Sequence, residues 1–309
     1  MGKDIKDLDG LEIFLGYKCS IRCYFCYQKD LRTKYIENLS IDEVINLLDC
    51  GYKEGKRFVI FSGGEPTLDS NLGLYIEYSK HLGFEHIRVH TNGYGLKDFK
   101  YLRDLYNRGL TGVTISVHGY DEVYERVSQV KGSFNTIKKA LKNLEILKKI
   151  DNSFVFDTNT VVSKQNYRDI PKIVKFLCNF SLTRGQIVLA YSLDLFTIEE
   201  KKEIIPEYNE IVEYLKKTLK IAYIYNKKFV LENIPFCVID RLYWNQIINN
   251  IKINKESVTI REGNLGNTNL KWMKNLDECK KCNMNKICRG LPKDYYEVYG
   301  DSCIKPIYD

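Results

Sequence analysis

Leu11-Glu12-Ile13-Phe14-Leu15-Gly16-Tyr17-Lys18-Cys19-Ser20-Ile21-Arg22-Cys23-Tyr24-Phe25-Cys26 runs from a β-rich segment into three cysteines spaced CxxxCxxC. Gly63-Gly64-Glu65-Pro66 closes the next β-rich segment, with 36 residues between Cys26 and Gly63. Three thiolates are one too few to saturate a cubane of four irons, so the fourth iron stays open for a ligand that is not protein. Soft thiolates select iron–sulfur or zinc. Paired glycines let backbone approach a ligand closely, and Glu65 is a partner for an ammonium group. The alternative, a structural zinc site, wants four ligands, and the nearest histidine in sequence is His81.

Working outward, short β-rich runs alternate with longer amphipathic stretches as far as residue 191. Strands are predicted over 11–16, 57–62, 86–91, 112–118, 153–162 and 186–191. Ser40 with Glu43 three residues on forms a capping box ahead of a helix. Six such βα repeats imply an α/β fold with a parallel sheet. In these sheets the site collects on the loops after the strands. The cysteine loop, GGEP, Thr91-Asn92-Gly93 and Ser116 to Gly119 all fall there.

The bulk numbers fit that picture. A chain of 309 residues accommodates one large core and a small appended domain. Lys plus Arg exceeds Asp plus Glu by 47 − 40 = 7, without a dense basic tract, so nucleic acid is not indicated. The N-terminus shows no signal peptide and no segment is apolar enough for a membrane span, which points to the cytoplasm. Ten cysteines without a secretion signal, six of them in two short-spaced sets, argue for metal over disulfides. Cys50 and Cys178 fall on predicted helix faces and are expected to be core thiols.

The second set reads Cys279-x2-Cys282-x5-Cys288, with Cys237 upstream and Cys303 downstream. The segment from about residue 228 is too small and polar for a robust core unless a metal cluster staples it. Lys271, Lys274, Lys280, Lys281, Lys286 and Arg289 are expected to offset an anionic cluster there. A zinc knuckle is the alternative.

The cysteine triplet and GGEP together resemble the radical SAM superfamily, and the resemblance covers roughly residues 11 to 195. It implies a partial (βα)6 TIM-like barrel holding one 4Fe-4S cluster on Cys19, Cys23 and Cys26, with S-adenosylmethionine on the open iron. Reductive cleavage of that cofactor would yield a 5′-deoxyadenosyl radical that abstracts hydrogen from substrate. By motif position, Gly63, Gly64 and Glu65 would meet the methionyl amine and Phe25 would lie by the adenine. Ser116, His118 and Asn159 would face ribose or carboxylate, and Asn92 is a further contact or a turn residue. Many relatives place an Arg after strand four where this chain has Ser128, leaving Arg126 as the candidate.

The tail is similar to the SPASM or shorter Twitch extensions of that superfamily, which implies one auxiliary 4Fe-4S cluster in a small C-terminal α+β domain. Its ligands would be Cys279, Cys282, Cys288 and either Cys237, which the IPFC element favours, or Cys303. The domains expected are a barrel over 1–195, a helical bridge over 196–227 and a cluster domain over 228–309.

Such relatives act mostly on ribosomally made peptides, forming thioether, carbon–carbon or epimer products. A reduced flavodoxin or ferredoxin-type donor would supply the electron. With 18 residues before Cys19 no room is expected for a fused leader-peptide-binding domain, so a peptide substrate would need a separate binding protein or direct recognition by the barrel and tail. Radical rearrangement of a nucleotide or other small molecule is the alternative, although the ending Pro306-Ile307-Tyr308-Asp309 lacks the glycine-rich tail of molybdopterin-type enzymes. A non-catalytic iron–sulfur electron carrier is the reading from another class, but a carrier gains nothing from an open iron beside an amine-binding loop. Tyr191 and Asp194 are assigned no catalytic role.

Overall fold

Seven strands lie side by side in chain order: β1 (Gly10–Phe14), β2 (Phe58–Ser62), β3 (His86–Thr91), β4 (Gly112–Ser116), β5 (Val155–Val162), β6 (Arg184–Leu189) and β7 (Phe229–Glu232). Each is parallel to the next. The structure is a computed structural model and describes residues 10–191, 193–247, 255–258, 266–267, 273–274 and 276–308. On the other side of β1, β8 (Lys255–Val258) pairs parallel with it, and β9 (Gly266–Asn267) pairs antiparallel with β8. The sheet therefore runs from β7 to β9 without closing. A small antiparallel pair, β10 (Met273–Lys274) with β11 (Leu291–Pro292), stands apart.

The helices are α1 (Leu31–Lys34), α2 (Ile41–Lys53), α3 (Leu72–Leu82), α4 (Phe99–Arg108), α5 (Glu122–Ser128), α6 (Ser133–Ile150), α7 (Ile170–Leu177), α8 (Ile198–Ile204), α9 (Tyr208–Ile224) and α10 (Lys293–Tyr299). Side chains alternate across a strand. Leu11, Ile13, Val59, Phe61, Ile87, Val89, Val113 and Ile115 thus share the face that buries against helix residues such as Leu48, Ile76, Leu102 and Ile137. The opposite face carries Glu12, Ser62, Arg88, His90, Ser116, Asp157, Asn159 and Gln186, a polar wall on the concave side. Low on that wall Asp157 takes ion pairs from Arg88 and Arg184 at 3.2 and 3.3 Å.

The six predicted strands are present, with ends shifted by up to two residues. The capping box forms as expected, with Glu43 N donating to Ser40 Oγ and Ser40 N to Glu43 Oε2. It is worth about 1 kcal/mol. Two expectations are corrected. Residues 228–234, expected at the start of the cluster domain, supply β7, which extends the barrel sheet along the open edge of β6. The expected helical bridge consists of two helices, because Pro206 cannot continue α8 and α9 restarts after it. Cys50 is exposed, not core: the buried stripe of α2 is Val44, Leu48 and Gly51, and Cys50 lies off that helical spacing. Cys178, four residues after buried Val174, is buried as expected.

The bridge is tied to the tail through a buried cation. Lys201 of α8 reaches Asp294 at 2.7 Å and Glu297 at 2.5 Å, both on α10. Among the described residues, no helix is long and apolar enough to cross a membrane.

Candidate metal and cofactor centre

The loop after β1 is held in place by the loop after β2. Gly64 N donates to Gly16 O at 2.8 Å and Glu65 N to Lys18 O at 2.7 Å. Gly63 has φ +123°, and a Cβ there would lie 2.4 Å from Gly16 O. A Cβ on Gly64 would come within 2.1 Å of Lys18 O, so the two loops meet backbone to backbone only because both residues are glycine. On its far side the cysteine loop hangs from the end of α5, with Arg22 N donating to Ser128 O at 2.8 Å. Ser128, where an Arg is usual, is buried and serves as this anchor.

Cys19, Cys23 and Cys26 are drawn together on that loop. Burial pushes the Cys19 and Cys23 thiols upward. Two side chains donate to the sulfurs: Asn92 Nδ2 to Cys19 Sγ at 3.4 Å and Arg32 Nη2 to Cys26 Sγ at 3.3 Å. Arg32 Nη1 also binds Ile21 O at 2.6 Å, while its Nε is buried without a hydrogen-bond partner. A donor left over beside three thiols suits a cluster whose own sulfides accept hydrogen bonds. Sequence reasoning missed Arg32, which lies too far past the last cysteine for any spacing rule to connect them.

Glu65 is a hub rather than a free carboxylate. Its Oε1 accepts from Thr67 N at 3.0 Å, Thr67 Oγ1 at 2.6 Å and Thr91 Oγ1 at 2.5 Å, and its Oε2 accepts from Asn92 N at 2.7 Å. Burial pushes its pKa up against those donors. The carboxylate thereby organises the loops after β2 and β3. Among the described residues, no backbone donor reaches the carbonyls of Gly63 or Gly64. Asn92 is a turn residue, its Oδ1 accepting from Tyr94 N at 2.9 Å.

The remaining candidates divide. Phe25 is buried and meets His118 edge-on, with centroids 5.1 Å apart. His118 Nδ1 accepts from Val161 N at 3.1 Å, and burial with a nearby His90 lowers its pKa to about 3, so the ring is neutral and carries its proton on Nε2. Ser116 Oγ lies 3.4 Å from His90 Nε2. Asn159 stands opposite Ser116 in register, and its Oδ1 is buried with no partner. Arg126 is exposed and spends its guanidinium on Gln165 O at 2.9 Å.

In the tail, Cys237, Cys279, Cys282 and Cys288 line one cavity, walled by Phe236, Leu276, Met284, Leu291, Pro306 and Ile307. Ile307 N donates to Cys282 Sγ at 3.3 Å, and the backbone of Lys305 hydrogen-bonds Cys237. Cys303 is not part of that lining; its thiol is hydrogen-bonded with Tyr295 instead. Among the described residues, no three His, Cys, Asp or Glu side chains converge as they do around a single ion. The expected cationic surround is only partly there. Lys280 pairs with Asp277 at 2.7 Å, Lys274 lies over the Tyr296 ring at 3.2 Å, and Lys271 is outside the described residues. Arg289 turns to Glu232 Oε1 at 2.8 Å, where Gln186 also donates, and Tyr191 lies half-buried beside the pair. This contact between the cysteine tail and the end of β7 was not legible in the sequence.

Residues 13–177, more than half of the chain, match the family model described as the Radical SAM superfamily. The chain belongs to the radical SAM superfamily. The matched span contains Cys19, Cys23, Cys26 and Gly63 to Glu65, so the cofactors of this radical SAM protein are a 4Fe-4S cluster and S-adenosylmethionine. A probable GTP 3',8-cyclase of Sulfolobus acidocaldarius is 29% identical over 201 residues, 62% of this chain and 60% of that protein. The chain thus matches about three fifths of that curated relative's length. An Fe-coproporphyrin III synthase of Methanosarcina barkeri is 29% identical over 160 residues, covering 52% of this chain and 38% of that protein. Among solved structures, Streptococcus suis SuiB bound to the precursor peptide SuiA covers 96% of this chain and 76% of that one, with TM-score 0.66 and 15% identity. Native anSMEcpe with bound AdoMet and a peptide covers 97% of this chain and 92% of that one, at TM-score 0.64 and 16% identity.

Proposed function

We propose that this radical SAM protein is an enzyme that modifies a ribosomally made peptide by hydrogen abstraction, forming a thioether, a carbon–carbon crosslink or an epimer. When bound, the reduced cluster supplies the electron that cleaves S-adenosylmethionine to methionine and a 5′-deoxyadenosyl radical. Cys19, Cys23 and Cys26 hold that cluster, and Arg32 and Asn92 donate to its thiolates. The open carbonyls of Gly63 and Gly64 receive the methionyl amine, since the Glu65 carboxylate is already engaged. Asn159 Oδ1, a buried acceptor without a donor, takes a ribose hydroxyl. Phe25 and His118 form a dry wall beside the adenine.

Cys237, Cys279, Cys282 and Cys288 hold an auxiliary 4Fe-4S cluster, with Cys303 outside the set. A cluster with four thiolates has no vacant iron, which suits accepting an electron from a product radical rather than ligating substrate. A flavodoxin or ferredoxin-type protein delivers the first electron.

The observation that supports the peptide reading is the reach of the structural likeness: it spans 96–97% of the chain, tail included, in proteins solved with peptides bound. A nucleotide or small-molecule rearrangement is the second reading, favoured by the 29% identity to a probable GTP 3',8-cyclase. Anaerobic protein with reductant and S-adenosylmethionine is incubated with isotopically labelled candidate peptides and, separately, with GTP. A mass change in a peptide with GTP intact supports the first reading. Conversion of GTP with every peptide unchanged overturns it in favour of the second.

A further inference from the structure

The helix after the cysteine loop is too short to hold itself. α1 has four residues, and its N-cap Asp30 makes no side-chain cap. Isolated helices of that length have no stability of their own. What fixes it is Leu31, which is buried, and the guanidinium of Arg32, which faces back into the loop. One arm of that fork binds Ile21 O at 2.6 Å and the other binds Cys26 Sγ at 3.3 Å. The third nitrogen, Nε, is buried and unpartnered. Two neighbouring cations look elsewhere: Lys29 pairs with Glu200 at 2.8 Å, and Lys34 lies over the Tyr35 ring.

We infer that Arg32 is a redox-positioning residue of the core cluster, orienting Cys26 and supplying the positive charge that raises the cluster's reduction potential. The inference rests on the reading that Cys19, Cys23 and Cys26 hold that cluster. Reduction adds one negative charge to the cluster. A cation hydrogen-bonded to a ligating sulfur stabilises the reduced state more than the oxidised one, and partial burial limits the screening of that difference by water. The arginine fork suits two acceptors set at an angle, as a lysine ammonium on a flexible stem does not. A residue that only stapled the loop would need the Ile21 contact and no charge at the sulfur.

The test compares wild type, Arg32→Lys and Arg32→Gln, each reconstituted anaerobically, by iron and sulfide content and by a redox titration followed by electron paramagnetic resonance. The core signal is identified as the one perturbed by S-adenosylmethionine, and the auxiliary signal serves as internal control. The expected result is a more negative core midpoint in Arg32→Gln, an intermediate one in Arg32→Lys, and an unshifted auxiliary midpoint. Wild-type core midpoints in both variants at full iron content overturn the inference while leaving the cluster assignment intact. Loss of core iron in both variants overturns it in favour of a purely structural staple. A wild-type protein with no S-adenosylmethionine-responsive signal overturns the cluster assignment, and the inference with it.

Discussion

Asn92 donates its backbone N–H to Glu65 Oε2 at 2.7 Å and its side-chain amide to Cys19 Sγ at 3.4 Å. One residue thus links the buried carboxylate to a cluster thiol, and the loops after β1, β2 and β3 form one unit. In Glu65→Gln, an amide N–H₂ must face donors at one of the two oxygen positions. Leaving buried donors unmatched costs about 1–3 kcal/mol. Chemical denaturation should show that loss, and the cluster spectrum should respond more weakly to S-adenosylmethionine. Unchanged stability would mean the carboxylate is not the hub described.

Gly64→Ala tests the backbone junction. The added Cβ meets Lys18 O at 2.1 Å and Tyr17 O at 2.5 Å, and neither carbonyl can move without carrying Cys19 with it. The variant should fold its sheet, judged by far-ultraviolet circular dichroism, yet bind S-adenosylmethionine at least tenfold more weakly, which corresponds to about 1.4 kcal/mol. Isothermal titration of the reconstituted variant reads this directly; wild-type affinity would refute the argument.

Single substitutions separate the two candidates for the fourth auxiliary ligand. Cys237→Ala removes a thiol from the cavity wall and should lower iron and sulfide content by one cluster's share. Cys303→Ala removes a thiol that meets Tyr295 outside that lining and should leave iron content unchanged. The reverse pattern would assign Cys303 instead.

His118 should make stability depend on pH. Its folded pKa is lowered to about 3 from 6.5, so between those values the unfolded chain binds a proton that the folded chain refuses. Stability from this residue is therefore complete above pH 6.5 and is lost as pH falls. From pH 7.0 to 5.5 the loss is about 1 kcal/mol. His118→Gln keeps an acceptor for Val161 N and should flatten the profile over that range. Urea midpoints at the two pH values, measured anaerobically on both proteins, check it; parallel profiles would mean His118 titrates normally.

The sequence reading succeeded where local pattern carries the physics. His86–Thr91 is the strand expected, because alternation and the Asn92-Gly93 turn both mark its end. The placement of the cysteine loop and GGEP followed from a rule about parallel sheets that needs no contacts. It failed where a long-range partner decides. Nothing local distinguishes the segment around Phe229 as a barrel strand, since pairing to β6 is what makes it one. The donors around Glu65, from Thr67, Thr91 and Asn92, sit on loops that only the fold brings together. Arg32 and the Arg289–Glu232 pair join segments whose proximity only the fold creates. The Cys50 error was local and avoidable: counting from Val44 and Leu48 puts it off the buried stripe.

The account depends on a three-thiolate cluster whose open iron takes S-adenosylmethionine, and one experiment reaches it most directly. Anaerobically reconstituted protein is reduced in the presence of S-adenosylmethionine, and 5′-deoxyadenosine is quantified beside a Cys19→Ala, Cys23→Ala, Cys26→Ala triple variant. The account predicts 5′-deoxyadenosine from wild type, none from the triple variant, and retained auxiliary iron in both. Equal product from both proteins, or none from a wild type carrying its full iron, would contradict it.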